Sequence, residues 1–239
     1  MNALCWLPTL VLGFPIDEVV TRGAIQKGIA RLEEPATRYV GNRNCFSCHH
    51  QAVTMPALAA ARQQGFASSD EVLRKQSGFT HETFASRVKD IHEGRGIGGA
   101  NTTAAYALWA LSAVNHPCDP TTDALVEFLL KKQAKDGSWQ PTTVRPPTEG
   151  GKPTIVGLTL EALPRFVPHD AKADLKERVD RLRAEALAFL LKTPAVDTED
   201  RAFRLRGLIA ANASPERIRE ARGELVRRQR PDGGWAQID

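Results

Sequence analysis

Polar and apolar positions along this chain sort into two kinds of helix. One kind is amphipathic. In residues 215–228 (PERIREARGELVRR), Ile218, Ala221, Leu225 and Val226 form one apolar stripe among charges. Ser214 stands where an N-cap is needed, and Pro215 suits the first helical position. Leu125, Phe128 and Leu129 make the same stripe in residues 122–131 (TDALVEFLLK). Residues 17–33, residues 70–93 (with a break near Gly78) and the run before 190–197 fit this kind too. The other kind is apolar on most sides: residues 52–65, 102–114 (TTAAYALWALSAV), 154–163 (TIVGLTLEAL) and 203–213 (FRLRGLIAANA). Such helices belong inside. The order predicts an all-α fold in which five outer helices alternate with four inner ones, in two layers.

Composition agrees with helices over sheets, because the chain is 42% hydrophobic but only 6% aromatic, with Ala and Leu dominating. Its 239 residues suffice for a sizeable core. The net charge of +4 is mildly basic, and nine arginines fall between Arg201 and Arg230. They read either as a patch for phosphate or an acidic partner, or as a solvated helix face, since Glu216, Glu220 and Glu224 interleave with them. No nucleic-acid signature accompanies the charge, so no nucleic-acid partner is expected. No stretch is long enough for a transmembrane span. Residues 1–16 contain the apolar run ALCWLPTLVLGF, with no Lys or Arg before it and no A-x-A site after it. This segment is either the remnant of an export signal or an apolar arm packed on the domain that follows, residues 17–239.

A repeat underlies the alternation. Residues 129–139 (LLKKQAKDGSW) and 225–235 (LVRRQRPDGGW) each follow an amphipathic run and end in a turn plus Trp. Residues 190–197 (LLKTPAVD) carry a shorter version. Asp-Gly makes a tight turn, and Trp covers apolar surface at the helix end. Gln133-x-x-Asp136-Gly137-Ser138-Trp139 and Gln229-x-x-Asp232-Gly233-Gly234-Trp235, 96 residues apart, resemble the QW motifs of squalene–hopene cyclases and related terpenoid cyclases, whose superfamily includes protein prenyltransferases. The resemblance covers roughly residues 17–239. It implies an α/α toroid in which the Gln and Trp side chains stack and tie neighbouring outer helices together, a structural and not a catalytic role. This sequence supplies about four and a half helix pairs, fewer than the family toroid, so an incomplete toroid with an exposed apolar edge is expected.

The resemblance also directs attention to acids. Squalene–hopene-type cyclases protonate substrate with a D-x-D-D motif near the start of an inner helix. Asp197-Thr198-Glu199-Asp200 has the position and charge pattern, so Asp197, Glu199 and Asp200 are the catalytic candidates. Glu replaces the central Asp, and Arg201 follows, a cation expected to hold the carboxylates ionised. The alternative is a capping turn with acids at a helix start. The prenyltransferase side of the family implies a zinc held by Asp, Cys and His. His116, Cys118 and Asp119 in NHPCDP offer those types, but too tightly spaced, and a loop without a ligand is the better reading.

The densest chemistry lies elsewhere. Residues 44–51 read NCFSCHHQ, in a chain with four cysteines and six histidines. Cys45-x-x-Cys48-His49 is the c-type haem attachment pattern: two thiols bond the vinyl groups and His49 ligates the iron from the proximal side. A zinc site using Cys45, Cys48 and a histidine, or a disulfide or redox pair, are the alternatives. Phe46 would pack on the macrocycle. His92 or His81 could supply a distal ligand, with the glycine run IHEGRGIGG (residues 91–99) either approaching a flat ligand or serving as a loop; a five-coordinate iron is equally open.

The sequence therefore leads to an all-α, terpenoid-cyclase-like toroid carrying haem c, exported to an extracytoplasmic or periplasmic location, acting in electron transfer or redox sensing with a redox partner protein. Two other functions stand beside it. One is isoprenoid cyclisation at the acidic turn, and the other is a toroid that holds an isoprenoid, lipid or protein without chemistry.

Overall fold

A computed structural model describes residues 17–142, 151–168 and 170–238, with the His49 side chain left out. The apolar segment 1–16 therefore lies outside the described residues, as does Asp239. Among the described residues there is no strand, and the chain is all-α.

The outer helices are α1 (Glu18–Asn42), α3 (Asp70–Ala85, followed by the short α4, Val88–His92), α6 (Pro120–Lys132), α8 (Ala173–Lys192) and α10 (Pro215–Val226). The inner helices are α2 (Thr54–Gln63), α5 (Ala100–Ala113), α7 (Lys152–Phe166) and α9 (Thr198–Ala210). The expected count of five and four therefore holds among the described residues. Within the inner layer α2 packs on α5, α5 on α7 and α7 on α9; within the outer layer α1 packs on α3, α3 on α6 and α6 on α8. A groove of about 250 Å³ is lined by residues of all four inner helices, so that layer bends around a concave face.

Burial follows the charge pattern. In α5 Ala104, Tyr106, Leu108 and Leu111 are fully buried, whereas α10 buries only Ala221. The caps are as the sequence suggests: Ser214 Oγ accepts the Arg217 N–H, and Pro215 opens α10. Two boundaries differ from expectation. Helix α3 runs unbroken through Gly78 and stops only at Ser86, because the Ser69 cap and the burial of Leu73, Gln76, Thr80 and Phe84 outweigh one glycine. Helix α1 continues past residue 33 and through Pro35 to Asn42, held by packing of Ile29 and Ala36.

The two QW turns have the same internal bonds. Gln133 Nε2 donates to the Gly137 carbonyl (3.1 Å), and Gln229 Nε2 to that of Gly233 (2.8 Å). Trp139 Nε1 donates to the Leu129 carbonyl (2.9 Å), and Trp235 Nε1 to that of Leu225 (2.8 Å). Gly137 and Gly233 take φ values of +83° and +84°, where a Cβ would strain the backbone. Only the first turn is covered. Gln133 Nε2 also reaches the Leu182 carbonyl of α8 (3.0 Å), so it ties one outer helix to the next. Trp139 is fully buried, while Trp235 remains 42% exposed beside Val226 and Ile238.

Candidate functional site

Residues 44–51 form the connection from α1 to the inner helix α2. Ser47 is extended and caps a π-helical turn, Cys48–Ala52, its Oγ accepting the His50 N–H at 3.3 Å. A buried amide relay holds this turn in place. The Ser47 N–H donates to Gln51 Oε1 (2.7 Å), Gln51 Nε2 to Gln76 Oε1 (3.0 Å), and Gln76 Nε2 to the Ala36 carbonyl (3.0 Å). Both glutamines are fully buried, so losing either leaves the other with an unpaired amide group at a cost of about 1–3 kcal/mol. The relay joins the turn to α3 and α1, which fixes where Cys48 and His49 begin their helical turn.

Neither Cys45, exposed, nor Cys48, buried, is in a disulfide. Tyr39 OH lies 3.3 Å from Cys45 Sγ, and its ring stacks on His50 with centroids 4.5 Å apart and planes 18° from parallel. Burial, and after it the Cys45 contact, push the Tyr39 hydroxyl up to about 12, so it stays protonated at neutral pH. Phe79 meets the other edge of Tyr39, and Phe46 packs on Phe84. Beside this cluster a groove of about 580 Å³ runs between α1 and α3, walled by Val40 and Phe79, with Arg74 and Lys75 balanced by Glu71 and Glu82 in its charged lining. Cys45, exposed, and Cys48, packed in the core, are the residues that would hold a c-type haem, and His49 would ligate it.

Of the two distal candidates, His81 Nε2 lies 3.0 Å from Asp119 Oδ2, whereas His92 is exposed and its bond to Lys131 Nζ uses the backbone carbonyl and not the ring. Residues 93–99 form the connection from α4 to α5.

The acidic turn is a helix cap. Asp197 Oδ1 accepts the Asp200 N–H (2.8 Å), and Thr154 Oγ1 donates to Glu199 Oε1 (2.6 Å). Glu199, Asp200 and Arg201 are all buried. Arg201 lowers the Asp200 carboxyl, in the expected sense, but burial is the largest influence and, with Asp197, raises it above the ordinary aspartate value against Arg201 and the Val196 N–H. Arg201 turns instead to Glu224 (3.4 Å) and to the carbonyls of Ala195 and Val196. Asp200 is itself engaged: Oδ2 accepts the Val196 N–H at 3.1 Å, and Oδ1 packs against Gly151.

This gives a signed expectation. The folded chain holds the Asp200 proton more tightly than the unfolded chain, so the contribution is intact below the ordinary aspartate value of 3.8 and is lost as pH rises through the raised one. Asp200→Asn should remove that loss. In urea unfolding series from pH 4 to 7, the variant should gain stability relative to wild type as pH rises; a relative loss would refute the assignment.

In NHPCDP the structure takes Cys118 out of the metal set, its Sγ pointing to the Arg165 carbonyl at 3.6 Å. Three further features were not read from the sequence: the glutamine relay, Tyr39, and a polar cluster on the concave face. There Arg206 pairs twice with Glu161 (2.8 and 2.6 Å), Trp109 Nε1 donates to Glu161 Oε2 (2.8 Å), and the Arg206 guanidinium lies 5.2 Å from the Trp109 ring centre. Only Gln51, inside the motif itself, carried a local signal. The other partners are distant in sequence.

Compared with protein-family models and with curated proteins, the chain gives no match. No helix among the described residues is long and apolar enough to cross a membrane.

Proposed function

We propose that this chain is a c-type haem protein on a squalene-cyclase-like α/α-toroid scaffold, serving electron transfer or redox sensing outside the cytoplasm. The observation that carries the reading is the Cys45–His49 turn: two cysteines three residues apart, anchored by the Gln51–Gln76 relay, with the Tyr39 hydroxyl 3.3 Å from Cys45 Sγ. Haem, when bound, supplies one-electron chemistry. The chain's own contributions are distinct from that. Cys45 and Cys48 would fasten the group, with Tyr39 beside Cys45. Arg74 and Lys75 would have to meet the haem carboxylates next to Glu71 and Glu82, which line the same groove. Thioether formation is an extracytoplasmic reaction in bacteria, which is why an exported location goes with the proposal.

The test is a reduced-minus-oxidised spectrum and a haem-stained denaturing gel of protein made with haem-maturation machinery. Wild type should stain at one haem per chain, and Cys45→Ala with Cys48→Ala should not. A colourless product that carries zinc at these thiols would reject the reading.

Isoprenoid cyclisation has one observation in its favour, the raised, buried carboxyl of Asp200 at the start of an inner helix. It predicts cyclised product that disappears in Asp200→Asn. The engagement of both Asp200 oxygens within the fold makes it the second reading.

A further inference from the structure

Packing brings His81, distant in sequence, to His116 and Asp119 in the turn from α5 to α6. His81 lies on α3, His116 follows α5, and Asp119 caps α6. The Nε2 atoms of His81 and His116 lie 3.0 and 3.1 Å from the same carboxylate oxygen, Asp119 Oδ2, and the three ligand atoms all fall within 4.8 Å of one another. We propose that His81, His116 and Asp119 form a binding site for a divalent transition-metal ion of the zinc class, independent of the Cys45–His49 turn.

Geometry carries the argument. A tetrahedral ion with ligands at ~2.0–2.1 Å sets neighbouring ligand atoms ~3.3 Å apart. The two nitrogen-to-oxygen spacings of 3.0 and 3.1 Å need only a few tenths of an ångström of widening, about 0.3 Å, to match that spacing. Two of the three ligands, Asp119 and His116, are also oriented from behind. Asp119 Oδ1 is occupied by the N–H groups of Thr121 (2.8 Å) and Thr122 (3.0 Å), which leaves Oδ2 for the histidines. His116 Nδ1 lies 3.2 Å from Ser77 Oγ, the outer partner that leaves Nε2 for a metal. The rings are 5.1 Å apart and tilted by 32°, so they converge without stacking flat. Two imidazoles and a carboxylate suit zinc and its neighbours better than calcium or magnesium.

All three ligands are partly buried, with side-chain exposures of 28, 16 and 23% for His81, His116 and Asp119. His116 and Ser77 also line a groove of about 720 Å³ between α3 and the end of α5, which gives an ion a way in. Three protein ligands leave the fourth position of a tetrahedral ion to water. The ion would replace the two hydrogen bonds to Oδ2 with bonds to one centre, clipping α3 to the start of α6.

The experiment is titration of the full chain with cobalt(II) and with zinc, in wild type and in the quadruple variant Cys5→Ser/Cys45→Ser/Cys48→Ser/Cys118→Ser, which has no cysteine left. That variant removes every competing thiolate, so its metal uptake is independent of the haem reading. The expected result is one tight equivalent retained in the thiol-free protein. Its cobalt spectrum should have tetrahedral d–d bands without a thiolate charge-transfer band, and the melting temperature should rise with zinc. His81→Ala should abolish the tight equivalent, and Ser77→Ala should weaken it about tenfold. Thiol-free protein that binds no cobalt or zinc would overturn the proposal, and so would uptake undiminished in folded His81→Ala. The cobalt spectrum of the thiol-free protein decides the matter even if His81→Ala does not fold.

Discussion

Trp139→Ala should cost about 3–5 kcal/mol of folding stability, whereas Trp235→Ala should cost about 1.5 kcal/mol or less. The two tryptophans occupy equivalent places in the QW turns and donate to equivalent carbonyls, Leu129 and Leu225. They differ in what covers them. Trp139 is fully buried, and α8 lies so close to its turn that a Cβ on Gly137 would come 2.1 Å from the Glu185 carbonyl oxygen. A Cβ on Gly233 meets nothing nearer than its own turn's Gln229 Nε2, at 4.0 Å. Truncating Trp139 therefore opens a cavity inside packed helices, while truncating Trp235 removes area already shared with water. Urea denaturation of both variants checks the contrast. Equal losses would mean that the turns, not the covering helix, set the energy.

The second large effect is expected at the contact between the inner helices α7 and α9. A Cβ on Gly157 would fall 2.7 Å from the Phe203 carbonyl oxygen, and one on Gly207 would fall 3.2 Å from Gly157 Cα. The two backbones touch there because neither residue has a side chain. Gly157→Val should cost about 3 kcal/mol through this clash. Gly78→Ala is the matched control: it sits inside α3, and a Cβ there meets nothing within 4 Å. That change should gain about 1 kcal/mol from helix propensity alone. Thermal or urea unfolding reads both. A tolerated Gly157→Val would show that α7 and α9 can move apart without loss.

These contrasts also explain what the sequence could reveal. Local signals carried the layering: charge-free runs such as TTAAYALWALSAV became inner helices, and the Asp-Gly turns with their Trp became the outer-helix ends. Gly78 misled because single-residue propensity is small against the packing of α3. The Cys45–His49 motif was legible because all its members lie within one turn. Its anchor was not, since Gln76 is twenty-five residues from Gln51 and has no pattern of its own. His81 and Asp119 meet across an ion-pair distance of 3.0 Å only because α3 packs on α6, a long-range fact that neither residue's neighbourhood encodes. The burial of Asp200 is likewise a long-range fact. Arg201 is adjacent in sequence, but its guanidinium is committed to Glu224 and to backbone carbonyls, and burial decides the carboxyl.

The central claim is a porphyrin joined through sulfur to this helical scaffold. The most direct measurement is the intact mass, under denaturing conditions, of protein matured in an export-competent host, followed by mapping of the modified peptide. The account predicts a mass higher by one haem that survives denaturation and maps to the peptide containing Cys45 and Cys48. An unmodified mass from a host that matures a control cytochrome in parallel would contradict it.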